Sequence, residues 1–284
     1  MSSIWRPVRE RAPARSMMVV VAHPGDESFG FGGAIASAAA SGAYVVVVCA
    51  TRGWFDARLA QSSPAPGGKN RDVKLDAVTW RNLDTVREDE LRRSVSLLGV
   101  RVVRMLDYSE GDLDRVDHDQ LVARIVEPIR MHRPEVILTF GPDGITGDSD
   151  HVVLSSAVSA AYRLAGEPLA FEDDIEEDLV AWRAAKLYHL AVPRDRVVEL
   201  LGDRAPSDVG SSDEPTLALE LGDLAQLKLA AISRHVSQTG SAGAFHDWDP
   251  ATRDAWLATE HYRLASSVFE HPAGSESSLF DGLP

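Results

Sequence analysis

The sequence predicts an α/β fold of the Rossmann-like, doubly wound type, with a mostly parallel sheet and helices on both faces. Short Val- and Ile-rich runs recur along the chain and are bounded by turn residues, as expected of strands buried on both faces of a sheet. Small-residue or amphipathic segments of helix length alternate with these runs. Polar clusters directly follow two of the runs, at the strand ends where such sheets bind ligands.

The strands and helices are predicted in alternation from residue 17 to residue 192. The first four strands are expected at residues 17–22, 44–50, 100–106 and 136–140, and a fifth at 187–192. Helices are expected at residues 29–41, 84–98, 118–132 and 152–164, and Gly42 and Gly99 end the first two. Four strand–helix units with right-handed crossovers give a doubly wound sheet.

The pattern is weaker beyond residue 166. Helices are predicted at residues 225–236 and 253–264, and the Ser- and Gly-rich tail from Ala265 onward is expected to be poorly ordered. The Pro- and Gly-containing stretch at residues 55–80 is predicted to be a loop, either a lid or a disordered segment. We therefore expect a leader at residues 1–16, one α/β domain at 17–264 and a C-terminal tail at 265–284.

Composition and charge exclude several classes of function. The net charge of -14 opposes binding to nucleic acid, which needs a basic surface. The single cysteine, Cys49, excludes an intrachain disulfide and is expected to be a small buried hydrophobe. We see neither an apolar run of the ~20 residues needed to span a bilayer nor a secretory signal in the first residues. These features predict a cytoplasmic protein without nucleic-acid or membrane partners.

Two polar clusters carry the candidate chemistry. His23 and Asp26 follow the first predicted strand and can converge on one ion from the strand-to-helix turn, while Asp148, Asp150 and His151 follow the fourth. Strands one and four are commonly neighbours in a doubly wound sheet, so the two clusters should meet in one crevice. Two histidines and one carboxylate with an open position are typical of catalytic zinc, and on ligand type alone also of iron.

Each cluster also has a purely structural interpretation. Asp148 and Asp150 are suitable N-caps for the helix at residue 152, and Asp26 with Glu27 can stabilise a helix start through its dipole. The expected meeting of both clusters at the same point of the sheet favours the metal site over these alternatives.

The same residues resemble a known family, the PIG-L/LmbE-like N-acetylglucosaminyl deacetylases, which include the mycothiol-pathway deacetylase and amidase. Residues 22–27, Ala-His-Pro-Gly-Asp-Glu, resemble the family signature AHPDDE, and residues 141–151 resemble its GPDG-x-TGHPDH. Shorter matches occur at residues 32–33, 51–53, 87–90, 98–100, 186–188 and 235–238, so that the resemblance covers about residues 17–264.

The resemblance implies a Rossmann-like protein that holds zinc or another divalent metal through His23, Asp26 and His151. It also implies hydrolysis of an N-acyl group, with acetyl expected, on an amino-sugar-like or small specialised metabolite. Two positions depart from the family pattern: Gly25 stands where the family has its general-base aspartate, and Asp148 stands where it has a histidine that stabilises the oxyanion. Loss of a general base typically costs ~10²–10⁴ in rate.

Three explanations of these departures remain open. In the first, Asp148 or Asp150 on the facing turn replaces the missing base and acts as the catalytic carboxylate. In the second, the protein is a metal-retaining, non-catalytic relative that binds a ligand or a partner. In the third, the site performs altered chemistry on a related substrate. The intact ligand set favours the first or third, and we adopt a zinc-dependent N-deacetylase as the working hypothesis.

Further residues are assigned to substrate binding with equally explicit alternatives. Arg87 matches a family position associated with substrate, but it also forms an ordinary helical pair with Glu90. Trp54 can stack on a sugar ring or pack under the long loop, and His235 can approach the crevice or be buried. A dinucleotide-binding dehydrogenase is disfavoured because Ile35 stands where the glycine fingerprint needs its last glycine.

Overall fold

A seven-stranded sheet forms the centre of the molecule. The computed structural model describes residues 15–53, 82–171, 175, 179–207, 209–211, 213–240, 245–269 and 276–284. The strands of the sheet are β1 (Ser16–Val21), β2 (Tyr44–Thr51), β3 (Val102–Tyr108), β4 (Val136–Phe140), β5 (Lys186–Leu190), β6 (Leu217–Glu220) and β7 (Thr259–Ser267). Their spatial order is β3-β2-β1-β4-β5-β7-β6.

Strands β1 to β5 run parallel, and the two late strands run antiparallel to their neighbours. Strand β1 pairs with β2 on one side and with β4 on the other, with Val19 opposite both Val47 and Leu138. The chain therefore builds outward through β2 and β3, then returns to the other side of β1 to add β4 and β5. This reversal of direction creates a crevice at the carboxyl ends of β1 and β4. The predicted Rossmann-like, mostly parallel fold is confirmed.

Helices connect the strands. Those within the described residues are α1 (Asp26–Phe29), α2 (Gly32–Ala40), α3 (Leu83–Leu97), α4 (His118–His132), α5 (Ser149–Leu164), α6 (Arg194–Leu201), α7 (Leu224–Ile232), α8 (Val236–Thr239) and α9 (Pro250–Leu257). Helix α4 packs on α5, and α2 and α3 both contact α7. None of these helices is long and apolar enough to cross a membrane.

The core follows from the apolar strands. All residues of β1 after Ser16 are fully buried, and in β2 every residue after Tyr44 is buried. Burial on both faces explains why these strands are continuous Val-rich runs rather than alternating polar and apolar residues. Cys49 lies within this core, as predicted.

Two sequence predictions for the last part of the chain are wrong. The helix expected at residues 253–264 ends at Leu257, and the chain continues as strand β7 from Thr259. Strand β6 was not predicted at all. Both lie at the antiparallel edge of the sheet, where short strands with mixed burial carry a weak periodic signal.

The chain after Ala265 is not a poorly ordered tail where the structure describes it. Strand β7 extends to Ser267, and in residues 276–284 Leu279 and Leu283 are buried against the core. The fully buried Lys186 at the start of β5 donates to Glu276 Oε1 and to the Asp281 carbonyl. This segment therefore closes the amino-terminal edge of the sheet, opposite the crevice. The predicted loop at residues 55–80 and most of the acidic run at 172–178 lie outside the described residues.

Candidate functional site

The turn after β1 places His23 and Asp26 at the crevice. Helix α1 begins at Asp26, and the Asp26 carboxylate folds back so that its Oδ2 accepts a hydrogen bond of 2.7 Å from the His23 backbone N–H. A carboxylate at this position also faces the positive end of the helix. Chain reversal through Pro24 and Gly25 thus brings both predicted metal ligands to one side of the turn.

Gly25 adopts a backbone conformation that side-chain-bearing residues rarely take. Its φ is +115°, and a Cβ atom built there would lie 2.9 Å from Oε1 of Gln238. The Gln238 amide is held in this place because its Nε2 donates to the Pro24 carbonyl at 2.6 Å. The place next to the turn is therefore occupied by an amide from α8, a contact that the sequence did not predict.

The turn after β4 supplies the second half of the site. Asp148 is the N-cap of α5, and its Oδ1 accepts hydrogen bonds from the backbone N–H groups of Asp150 at 2.9 Å and His151 at 3.3 Å. The capping role considered for Asp148 is therefore real. The cap also orients the first turn of α5, so that His151 lies over the crevice.

The two turns converge as the sequence predicted. Oδ2 of Asp26 lies 3.5 Å from Nδ1 of His23 and 3.3 Å from Nε2 of His151. Potential ligand atoms of His23, Asp148 and His151 also lie within 4.8 Å of one another. Four side chains from two distant segments therefore surround one small volume, with Asp26 and Asp148 as its two carboxylates.

In each imidazole, the outer nitrogen, which points away from the common volume, is hydrogen-bonded to another part of the chain. Nε2 of His23 donates to Oδ2 of Asp150 at 2.9 Å, and Nδ1 of His151 donates to the Gly144 carbonyl at 3.1 Å. In the neutral rings these partners fix the tautomer, so that the lone pairs of the inner nitrogens are directed at the common volume, as is typical of metal-binding histidines. The His151 ring also stacks on Phe140, with centroids 3.9 Å apart and planes 7° apart.

The inner nitrogen of His151 tests whether a cation fits. Among the described residues, the buried Nε2 of His151 has no hydrogen-bond partner, although it lies close to the Asp26 carboxylate. A buried polar atom without a partner is costly to a fold unless something outside the chain satisfies it. Two imidazole nitrogens and a carboxylate oxygen form a donor set that suits a divalent transition metal, zinc included. The residues therefore fit such an ion.

The electrostatics of the site are dominated by carboxylates. Burial lowers the pKa of His23, but the hydrogen bond to Asp150 and the charge of Asp26 outweigh this effect and raise the pKa to about 9. Burial raises the pKa of Asp26, but the charges of His151 and His23 outweigh it and lower the pKa to about 2. Negative charge thus collects around the two imidazoles, which favours a cation at this position.

The Asp150 carboxylate is buried and hydrogen-bonded within the chain, which makes it less suitable as a general base. Its side chain is almost completely buried, and its Oδ2 is bound by His23 and by the Gly111 backbone N–H at 2.6 Å. Its Oδ1 accepts from the Leu113 backbone N–H at 3.1 Å. With both oxygens hydrogen-bonded and the side chain buried, Asp150 orients His23. The structure leaves Asp148, half-buried at the site, as the more suitable of the two predicted catalytic carboxylates.

His235 lies beneath the site instead of at its open side. The side chain is fully buried, its Nε2 donates to Glu27 Oε1 at 2.7 Å, and its Nδ1 faces the Gln238 amide at 3.4 Å. Glu27 in turn accepts from the Gly25 backbone N–H at 2.7 Å and from the Ser94 hydroxyl at 2.7 Å. The predicted contact of His235 with substrate does not agree with this burial, and its visible action is to support the turn of Gly25.

Arg87 lies near the site, and Trp54 is outside the described residues. The Arg87 guanidinium is largely buried and donates through Nη1 to the Gly53 carbonyl at 2.7 Å and to Glu110. Its Nε has no hydrogen-bond partner among the described residues. Glu110 follows β3, and its charge acts on His23. Sequence reasoning missed Glu110, although a carboxylate just beyond a strand end is the same signal that identified the other two clusters.

Comparison with known proteins places this geometry in context. Residues 18–162 match the PIG-L family, described as GlcNAc-PI de-N-acetylase. The 1D-myo-inositol 2-acetamido-2-deoxy-alpha-D-glucopyranoside deacetylase of Streptomyces scabiei is 32% identical over 304 residues, which cover 94% of this chain and 90% of that protein.

Solved structures share the fold at lower identity. The N,N'-diacetylchitobiose deacetylase from Pyrococcus horikoshii, in complex with its inhibitor MPG, superposes with a TM-score of 0.66 at 18% identity, covering 91% of this chain and 86% of that chain. GalB, the 4-carboxy-2-hydroxymuconate hydratase from Pseudomonas putida KT2440, superposes with a TM-score of 0.58 at 19% identity, covering 91% of this chain and 100% of that chain. A deacetylase and a hydratase thus share this fold, so fold alone does not decide the reaction.

Proposed function

Because the chain belongs to the PIG-L family of GlcNAc-PI de-N-acetylases, we propose that it is a metal-dependent hydrolase that removes an N-acyl group. The expected acyl group is acetyl, and the expected substrate is an amino-sugar-like or small specialised metabolite. The observation that carries this proposal is the inner nitrogen of His151, which lies beside Asp26 and His23 and has no hydrogen-bond partner in the part of the chain that the structure describes. The named activity of the Streptomyces scabiei relative, a deacetylase of an acetamido sugar, supports the substrate class.

His23, Asp26 and His151 are the residues that we assign to hold the metal, with zinc as the expected ion. When bound, such an ion supplies Lewis acidity toward the amide carbonyl and toward water. Asp150 and the Gly144 carbonyl keep the imidazoles in the required tautomer, so the donor set needs little reorganisation. The almost complete burial of the Asp150 carboxylate keeps its hydrogen bond to His23 away from water.

Asp148 is the residue that we assign as general base. One of its oxygens caps α5, and the second is available to accept a proton from water. In the overall reaction, water adds to the carbonyl carbon, the bond between that carbon and nitrogen breaks, and the products are acetate and a primary amine. The proton that Asp148 accepts is returned to the departing nitrogen. Compared with the family pattern, the base lies at the N-cap of α5 instead of the N-cap of α1, so the number of carboxylates at the site is unchanged.

Release of primary amine from N-acetylated amino sugars and thiol conjugates tests this proposal directly. The zinc-loaded wild type should release amine. The H23A variant should not, because it lacks both an assigned metal ligand and the donor of the hydrogen bond to Asp150. The matched control is H118A, since His118 is an exposed histidine at the start of α4. Equal release by the wild type and H23A would overturn the proposal.

A specific observation favours a second candidate, a metal-retaining protein that binds a ligand without turnover. Position 25 carries no carboxylate, and the Gln238 amide occupies the adjacent volume. In that case the wild type binds zinc but releases no amine across the panel. The double variant G25D/D148H, which restores both family residues, should then create activity. Absence of activity in a folded, zinc-binding double variant would count against this second candidate.

A further inference from the structure

We propose that a small pocket beside the candidate metal site binds a carboxylate carried by the ring-bearing part of the substrate. The pocket is walled by Phe29 and Trp256 and contains the cationic side chains of Arg196 and Lys228. The inference rests on the proposed function, because it names the substrate group next to the amide. It is nevertheless tested by binding alone, without turnover.

The position of the pocket connects it to the site. Phe29 ends the short helix that Asp26 begins, so the backbone positions of the two residues are separated by about one helical turn, ~5 Å along the axis. On the other side, Leu190 ends β5 opposite Phe140, on which the His151 ring stacks. The pocket therefore opens at the same edge of the sheet as the metal ligands.

A row of aromatic rings leads from the site along this edge. Phe29 lies 6.1 Å from Phe245, Phe245 lies 5.0 Å from Trp248, and Trp248 lies 5.7 Å from Trp256, measured between ring centroids. Phe29 is 38% exposed, an unusual degree for a large apolar residue beside a buried charged cluster. Ring faces of this kind stack on sugars and aromatic groups. Because neighbouring rings are inclined by 52–73°, a substrate ring would stack on one exposed face, such as that of Phe29, and not along the whole row.

The charge of the pocket is positive, although the chain carries a net charge of -14. Lys228 forms a 2.6 Å ion pair with Glu260, which compensates its charge. Arg196 donates to the Ala255 carbonyl at 2.7 Å and forms no ion pair with any residue that the structure describes. One cationic group thus remains available to a ligand. Burial and the Arg196 charge also lower the pKa of the lining His261, which keeps that imidazole neutral near pH 7.

The size of the pocket decides which part of a ligand enters it. The cavity measures about 40 Å³, whereas a single water needs roughly 10–15 Å³ by this measure. The space therefore accepts a small planar group such as a carboxylate. The ring is left on the aromatic row, and the carboxylate points inward to Arg196. An arginine fork matches a carboxylate with paired hydrogen bonds.

Calorimetric titration of the full chain with phenylacetate and with 2-phenylethanol tests this assignment. These probes share a ring and differ in the acidic group. We expect saturable binding of phenylacetate, roughly tenfold tighter than that of the alcohol, as is typical of a charge-assisted hydrogen bond. Each titration is made with bound zinc and after treatment with a chelator, because a carboxylate can also bind zinc directly.

Variants locate the binding. R196Q should remove the preference for phenylacetate in both zinc-loaded and chelated protein, and W256L should weaken both probes. R93Q is the matched control, since Arg93 is an exposed arginine on α3, and it should bind like the wild type. Equal affinity of R196Q and the wild type for phenylacetate would overturn the inference. So would a preference for phenylacetate over the alcohol that is lost when zinc is removed. Amine release without this binding would overturn the subsite and leave the proposed function intact.

Discussion

Two carboxylates that face the starts of neighbouring helices, the partly buried Asp26 and the buried Glu260 of β7, differ in how completely the chain satisfies them. Oε1 of Glu260 accepts from the Gly33 backbone N–H at 2.7 Å and from Lys228 at 2.6 Å. Its Oε2 accepts from the Ala34 backbone N–H at 2.8 Å and from the Tyr262 hydroxyl at 2.7 Å. Four donors, one of them a cation, complete this site from within the protein.

Asp26 has no such closed environment. Its Oδ2 accepts from the His23 backbone and faces two imidazole nitrogens, of which His151 Nε2 lacks a hydrogen-bond partner among the described residues. Glu260 is removed from water and Asp26 largely so, and burial of either charge requires compensation. The comparison indicates that a charge satisfied by its own chain serves the fold, whereas one left incomplete at a crevice serves a ligand.

The largest effect is expected from removing the charge of Asp26. D26N should weaken zinc binding more than about 100-fold, because even outer partners of metal ligands contribute 10–100-fold. Amine release should fall on the order of 10³-fold as Lewis-acid catalysis is lost. Zinc affinity is measured by competition with a chromogenic chelator, and stability by urea unfolding with chelator present. Wild-type zinc affinity in D26N would contradict the ligand assignment.

Neutralising Asp148 separates catalysis from metal binding. D148N should lower amine release by ~10²–10⁴-fold and leave zinc affinity nearly unchanged. The helix cap should survive, because asparagine caps helices as well as aspartate does. The matched control is D249N, which alters the exposed cap of α9. An unchanged rate in D148N would exclude Asp148 as the base.

Neutralising Glu260 should have the opposite pattern. E260Q leaves the buried Lys228 ammonium without its counter-charge, which typically costs about 3–5 kcal/mol of unfolding free energy. Zinc affinity per folded molecule should stay within error of the wild type. Urea unfolding and chelator competition on the same preparations measure both quantities. A stable E260Q with weakened zinc binding would erase the distinction between the two carboxylates.

A smaller effect is expected at the turn between His23 and Asp26. G25D should lose about 1–3 kcal/mol of unfolding free energy, because φ of +115° is unfavourable for aspartate and the new Cβ meets Gln238. Truncation of Gln238 in the double variant G25D/Q238A should recover the part of this loss in unfolding free energy that is due to contact with the Gln238 amide. Urea unfolding of both variants and of Q238A alone separates the two contributions. Full stability of G25D would show that the turn relaxes freely.

The smallest effect concerns a buried histidine without an acidic partner. Burial and the charge of Arg104 lower the pKa of His132 to about 4, in contrast to the raised pKa of His23. The unfolded chain, with a pKa near 6.5, binds more protons than the folded chain between these values. The contribution of the neutral His132 to the free energy of unfolding is therefore complete above about pH 6.5 and is lost as the pH falls toward 4.

The matched comparison for this prediction is H132N, which retains an acceptor for the Tyr44 hydroxyl. Between pH 7 and pH 4.5, the wild type should lose about 1–2 kcal/mol more unfolding free energy than H132N. Parallel pH profiles of the two proteins would contradict the lowered pKa.

Much of the sheet and of the candidate site could be predicted because the signals are local. Val-rich runs such as β1 and β2 can hardly form anything other than buried strands, and the polar residues that follow β1 and β4 must meet if those strands are neighbours. The observed pairing of β1 with β4 supplies this condition. His23, Asp26 and His151 therefore converge although they are far apart in the sequence, because the strands that precede them are neighbours.

What could not be predicted depends on three-dimensional contacts between such segments. Nothing in the spacing of Asp148 and Asp150 indicates that only Asp150 is sealed by the backbone of residues 111 and 113. The position of Gln238 against Gly25 is likewise set by the packing of α8. The antiparallel edge was missed because β6 is only four residues long and β7 alternates between buried and more exposed residues only in its first part. Their identity depends on pairing with each other and with β5.

The closure of the amino-terminal edge has a practical consequence for handling the protein. Arg15 donates to the carbonyls of Leu283 and Pro284, and Lys186 is covered by residues 276–281. An affinity tag or surface anchor joined after Pro284 therefore leaves from the side of the sheet that faces away from the candidate site. Immobilised protein attached in this way would keep its crevice open to solution, whereas a chain truncated before residue 276 would expose apolar surface and leave the Lys186 ammonium without its carboxylate partner.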